Sequence, residues 1–277
     1  MRTHLLATVA ATFLLALTTE FAAAQRRITS DVVVLPEVQA EIALPGNDYV
    51  LVGVNLFSQA NRGGSTFAGG QLRLGYEHFW SEQWSWGSTL RIGSDAGGSY
   101  GDFLGLPGNL VPGALLRHAG MLGKFGFTQR LAAEYAIVTN DSYGNNSSNN
   151  RAHARLRLGL DREFAVGPTV KLRPRVAYEA LTYLRFQRDE DELKERFVDF
   201  GNLRGEVGVR LSPRFDFTPW VASQTHYINS LVQFDQNGNP VSGGKVNLLT
   251  PTIGLDLRVT LGSHALDADR QPLPTQH

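Results

Sequence analysis

Residues 84–93 alternate without a break: Trp84, Trp86, Ser88, Leu90 and Ile92 fall on one face of an extended chain, and Ser85, Gly87, Thr89, Arg91 and Gly93 on the other. Such a segment is a strand with one apolar and one wet side. The same two-residue period returns along most of the 277 residues, with connections that are in turn short and then long and polar. Beyond the first two dozen residues no segment is long and apolar enough for a transmembrane helix. Any membrane crossing therefore falls to strands whose backbone groups pair with one another.

The clearest strands are expected at 71–80, 84–93, 115–124, 127–138, 152–163, 170–183, 202–211, 215–227 and 247–261, with 49–57 as a tenth. Short turns are expected at 81–83, around Phe125 and Gly126, at 165–169 and at 212–214, and long connections at 94–113, 139–151, 184–201 and 228–246. Residues 31–44 alternate as well. If 27–35 and 37–44 are separate strands the count is twelve, and if the segment lies outside the wall it is ten; even counts are the rule for single-chain bacterial barrels. The expectation is thus an all-β, antiparallel up-and-down transmembrane barrel of twelve strands, with ten as the alternative. Pro174, Pro219 and Pro251 fall inside expected strands, where a missing N–H is tolerated at bulges, ends and edges.

Sorting these strands by face separates charge from hydrocarbon. Arg73, Arg91, Arg117, Arg130, Arg155, Arg157, Lys171, Arg173, Arg175, Arg204, Arg210 and Arg258 fall opposite the apolar residues. Glu77, Glu134, Asp161, Glu179, Glu206, Asp216 and Asp256 share their face. Leu72, Leu74, Leu131, Ile137, Leu156, Leu158, Val207, Val209, Ile253 and Leu257 lie on the other. A basic side chain facing lipid at mid-bilayer costs about 2–4 kcal/mol, so in a barrel the charged set must line the lumen. A water-soluble sandwich would instead turn its charges outward and pack its apolar face on a second sheet. Twelve basic against seven acidic groups on this face suit an anion-preferring pore. They also suit paired side chains that fill a narrow interior, the reading preferred for a wall of ten to twelve strands. Phe79, Trp80, Trp84, Trp86, Phe125, Phe127, Phe164, Phe215 and Phe217 crowd the short turns, as an interfacial girdle would.

At the N-terminus, Met1, Arg2, Thr3 and His4 precede an apolar run over 5–17 and then Ala22, Ala23 and Ala24. This reads as a secretory signal peptide over 1–24, followed by a barrel over 25–261 and a periplasmic tail over 262–277. The chain has no cysteine, so disulfides and thiolate metal sites are excluded, and its formal net charge of zero gives no overall pull toward nucleic acid. No catalytic residue, cofactor or metal site is expected. His78, His118, His153 and His226 are scattered without a serine–histidine motif. Asp235 to Asn239 has an Asp-x-Asn-x-Asn spacing but lacks the distal glutamate of a calcium loop, and reads as a solvated turn. The acidic run Asp189, Glu190, Asp191 and Glu192 reads as a surface loop.

Three segments carry a resemblance: Arg151-Ala-His-Ala-Arg-Leu-Arg-Leu-Gly-Leu160, Lys171-Leu-Arg-Pro-Arg-Val-Ala-Tyr-Glu179 and Asn202-Leu-Arg-Gly-Glu-Val-Gly-Val-Arg-Leu211. In this pattern, which covers most of the mature chain, the protein resembles a family of small outer-membrane barrels of Gram-negative bacteria with no assigned activity. The last strand, with Thr252, Gly254, Leu257 and Val259 in alternation, looks like a barrel-assembly signal without the usual terminal aromatic. The resemblance implies a monomer in the outer membrane whose partners are lipid, lipopolysaccharide and the barrel-assembly machinery, with no nucleic acid. Such a porin-like protein would be structural or a narrow channel. The alternatives are an outer-membrane lipid-modifying enzyme and a secreted soluble β-protein that binds glycans.

Overall fold

The structure is a computed structural model that describes residues 26–61, 64–95, 110–137, 150–166, 170–184, 197–237 and 240–263. The expected signal peptide, the acidic run at 189–192 and all but the first two residues of the expected tail lie outside this set. The regular elements are strands: β1 (Arg26–Thr29), β2 (Val32–Ala43), β3 (Tyr49–Asn61), β4 (Gly64–Phe79), β5 (Trp84–Asp95), β6 (Leu110–Leu122), β7 (Phe125–Ala136), β8 (Arg151–Asp161), β9 (Phe164–Val166), β10 (Val170–Leu184), β11 (Phe200–Ser212), β12 (Phe215–Phe234) and β13 (Pro240–Leu261).

From β2 to β8, and on through β10 to β13, each strand pairs antiparallel with the next. The cylinder closes where β2 pairs with β13 in parallel, from Val33 against Thr252 to Ile42 against Leu261. β1 runs along the same β13 ahead of β2, with the pairing shifted by one residue around Ser30 and Asp31. β9 adds three residues beside the start of β10. Eleven strands therefore make the closed wall.

This corrects the expected even count. Residues 26–43 neither split into two neighbouring strands, which would make twelve, nor lie outside a ten-strand wall. They form one interrupted strand against β13. In a cylinder whose neighbours otherwise alternate in direction, an odd number of strands leaves one pair pointing the same way, and the backbone groups of β2 and β13 satisfy each other there.

The hairpins define two ends. At the turn end lie 44–48, 80–83, 123–124 and 213–214; at the other, the loop end, stand the strand ends Asn61 and Gly64, Asp95 and Leu110, Ala136 and Arg151, Leu184 and Phe200, and Phe234 and Pro240. β1 begins at the loop end and β13 finishes at the turn end. Some expected connections are strand instead. β12 and β13 extend through most of 228–246, and the tip is turned by Asp235, whose Oδ1 accepts the Asn237 N–H at 2.8 Å. The β6–β7 turn falls at Gly123 and Lys124 rather than at Phe125 and Gly126, because Gly123 takes a φ of 64°.

The three prolines expected inside strands each sit where one ladder lapses. The Pro174 carbonyl accepts the Arg162 N–H at 3.2 Å, where β8 gives way to β9. Opposite Pro219, the β11–β12 ladder is interrupted between Glu206↔Trp220 and Val209↔Phe217, with no change of register. Pro251 faces the shift between β1 and β2. A proline that lacks an N–H on one side is tolerated if that side has no bond to make.

The wall sorts side chains as the alternation dictates. Every one of the eleven strands exposes a large apolar residue outward: Val38, Val54, Leu74, Ile92, Leu116, Leu131, Leu158, Val176, Leu203, Val221 and Ile253. Two apolar clusters lie inside. Leu35, Phe57, Leu181, Phe200, Trp220 and Ala222 pack toward the loop end, and Tyr49 and Leu51 pack with Phe79 at the turn end. Between the two the interior is charged.

Candidate functional site

The charged interior follows from strand periodicity. Residues two apart on one strand project to the same side, so Arg155, Arg157 and Asp161 on β8, Arg173, Arg175 and Glu179 on β10, and Arg204, Glu206 and Arg210 on β11 form a charged inner surface. Register then decides who meets whom.

Nine arginines each reach a different carboxylate. Arg73 meets Glu37, Arg258 meets Glu41, Arg117 meets Glu77, Arg91 meets Glu134 and Arg155 meets Glu179. Arg173 meets Asp161, Arg175 meets Glu206, Arg204 meets Asp256 and Arg210 meets Asp216. Arg173 and Arg210 make forked pairs through Nε and Nη2, at 2.7 and 3.1 Å and at 2.8 and 3.1 Å.

Second contacts join the pairs into networks. Glu134 holds Arg91, Arg155 and the His153 ring at 2.6, 2.9 and 2.6 Å, and Arg155 passes the chain to Glu179 at 3.0 Å. Glu206 holds both Arg175 and Arg204 at 2.6 Å, and Arg204 continues to Asp256, which also accepts the Trp220 indole N–H. A tyrosine and a serine, Tyr49 and Ser85, donate to Glu77 at the turn end.

Two acids in this set were not sorted to the inner face by sequence. Glu37 and Glu41 on β2 are 1% and 2% exposed, and they entered no face count because the role of their segment was open. Lys171, counted inside, is at the rim with its side chain 48% exposed and paired to Glu163. Within the set counted from sequence, the surplus of basic groups thereby falls from five to two.

Those two are Arg130 and Arg157. Neither carries an ion pair among the described residues, and Arg157 Nη2 has no hydrogen-bond partner. Toward the loop end, Arg151 stacks over the Tyr183 ring at 5.0 Å, and buried Asp199 accepts the Tyr183 N–H at 2.7 Å.

The histidines stand apart from one another. His153 is fully buried on Glu134, His78 bonds Asp48 at 2.7 Å, His118 tilts against Trp84 and His226 stacks on Phe200 at 4.1 Å. Among the described residues no group of three or more His, Asp or Glu is placed to hold a metal ion. On the outer surface at the turn end, Trp80 stacks on Trp84 and the exposed Trp86 meets Tyr76 edge-on. Compared with known protein families and with curated proteins, the chain matches none.

Proposed function

We propose that this chain spans the outer membrane of a Gram-negative bacterium as a monomeric barrel with a side-chain-filled interior, leaving at most a narrow path that prefers small anions. The observation that carries this reading is the distribution of polarity: large apolar residues face outward on every strand of the wall, while arginines and carboxylates are buried inside. Val176 and Val221 are 58% and 60% exposed, whereas Arg204 is 1% exposed. A monomer in water exposes apolar patches of only a few hundred Å², on the order of 300–600 Å² at most, and an apolar band around a whole cylinder exceeds that. In a bilayer the same band is solvated by lipid.

Other features support the reading. The wall strands hold 11–22 residues, and a tilted strand crosses the hydrocarbon with roughly 9–11. Trp80, Trp84 and Trp86 form the aromatic rim expected at the periplasmic interface. Residues 1–24 supply the export signal, β13 is read by the barrel-assembly machinery, and the outer rim meets lipopolysaccharide. Eleven strands stand between the roughly eight of filled barrels and the roughly sixteen of open porins, and the nine ion pairs favour the filled side.

The test is fractionation followed by electrophoresis and conductance. The protein should appear in the outer-membrane fraction, migrate faster unboiled than boiled, and give small conductance steps with a reversal potential on the anion side. Recovery as a soluble periplasmic or secreted protein would sink the proposal.

A further inference from the structure

The two arginines left over from the nine pairs are neighbours. Arg130 on β7 and Arg157 on β8 are direct register partners, with Arg117 on β6 next in the row on one side and Glu179 on β10 on the other. The two outer members are already engaged: Arg117 holds Glu77 at 2.8 Å and Glu179 holds Arg155 at 3.0 Å. The second Glu179 oxygen, Oε2, has no hydrogen-bond partner, and its charge bears on both central arginines, so one carboxylate already bonded to Arg155 faces two further guanidiniums.

Directly opposed side chains on antiparallel strands start about 4.5–5.5 Å apart, and like charges there repel. Inside a protein, where screening is weak, such a pair calls for a counter-charge. Arg130 and Arg157, like the paired Arg73, Arg173 and Arg210, keep part of their surface exposed, whereas Arg91, Arg117, Arg155, Arg175, Arg204 and Arg258 are buried. One donor of Arg157, Nη2, is itself buried and meets no acceptor among the described residues.

We propose that Arg130 and Arg157 form a binding site inside the barrel for a small oxoanion such as phosphate, sulfate or a carboxylate. Two planar guanidinium forks on adjacent strands match an anion with several acceptor oxygens better than a spherical halide. Arg117 deepens the positive field from one side. Glu179 bounds the site on the other and disfavours anions of high charge. The proposal rests on the barrel interior being reachable from an end of the cylinder.

The experiment uses the full chain folded in detergent micelles and titrates inorganic phosphate against chloride at matched ionic strength, by calorimetry and by thermal unfolding. One phosphate per chain should bind at least about tenfold more tightly than chloride and raise the unfolding midpoint. The double variant Arg130→Gln/Arg157→Gln should lose this binding, while its midpoint in chloride stays at or above that of the parent. Should it not fold, Arg130→Lys/Arg157→Lys keeps the charge without the forks and should narrow the preference for phosphate over chloride. Phosphate binding no better than chloride, or unchanged in whichever double variant folds, overturns the site. Phosphate binding by a chain that fails to enter bilayers would defeat the membrane reading alone, and insertion without phosphate binding would defeat the site alone.

Discussion

The guanidinium of Arg204 stands 4.0 Å from the centre of the Trp220 ring, and both side chains donate to one carboxylate, Asp256, each at 2.8 Å. This ties β11, β12 and β13 together inside the wall, with Glu206 closing the other side of the guanidinium. Replacing Arg204 with Met leaves two buried carboxylates short of a partner, so Arg204→Met should cost about 3–5 kcal/mol. Arg157→Met breaks no ion pair and should cost little or stabilise. Denaturant unfolding of both variants in the same micelles checks the contrast, and equal losses would mean that the pairing pattern is wrong.

Trp220 also explains why position 254 is glycine. A Cβ on Gly254 would run into the Trp220 ring on one side and the Leu35 carbonyl of the parallel partner strand on the other. The ring has a flexible side chain behind it, but the carbonyl is backbone at the seam that closes the cylinder. Gly254→Val should destabilise the barrel by about 1–3 kcal/mol through overpacking. Adding Trp220→Ala should restore only part of this, because the backbone clash stays. The fraction of heat-modifiable protein after refolding reads the effect.

The odd strand count puts the two ends of the wall at opposite mouths: Arg26 at the loop end and Leu261 at the turn end. An even-stranded barrel would put both at one mouth. In intact cells, an epitope inserted just before Arg26 should bind antibody, and one placed after Ser263 should bind only after the outer membrane is opened. Accessibility of both tags, or of neither, would contradict the parallel seam or the membrane setting.

The outer face should tolerate apolar change and reject charge. Val207→Arg and Leu158→Arg each place a cation where lipid is expected and should reduce folding stability in bilayers by about 2–4 kcal/mol. Val207→Leu should be close to neutral. If both kinds of substitution are neutral, that face is not in hydrocarbon.

Much of the fold was legible in local pattern. The alternation at Trp84 to Gly93 sorted Trp86 outward and Arg91 inward without reference to any other part of the chain, because successive side chains on an extended backbone point to opposite sides. The strand ends were less legible. Residues 228–246 read as one long connection, yet the hairpin carries its ladder from Tyr227 as far as Phe234, because each pairing supports the next.

Sequence alone thus determined that this chain forms strands and which residues share a face, since both are properties of one segment. Only the tertiary structure decided that eleven strands close the wall through a parallel seam and that Glu37 and Glu41 face inward beside Arg73 and Arg258. It also decided that, of the eleven arginines sorted to the inner face, Arg130 and Arg157 are the two that carry no ion pair among the described residues. Glu41 and Arg258 are 217 positions apart, and what brings them together is the register of the closing strands, which depends on every intervening hairpin at once.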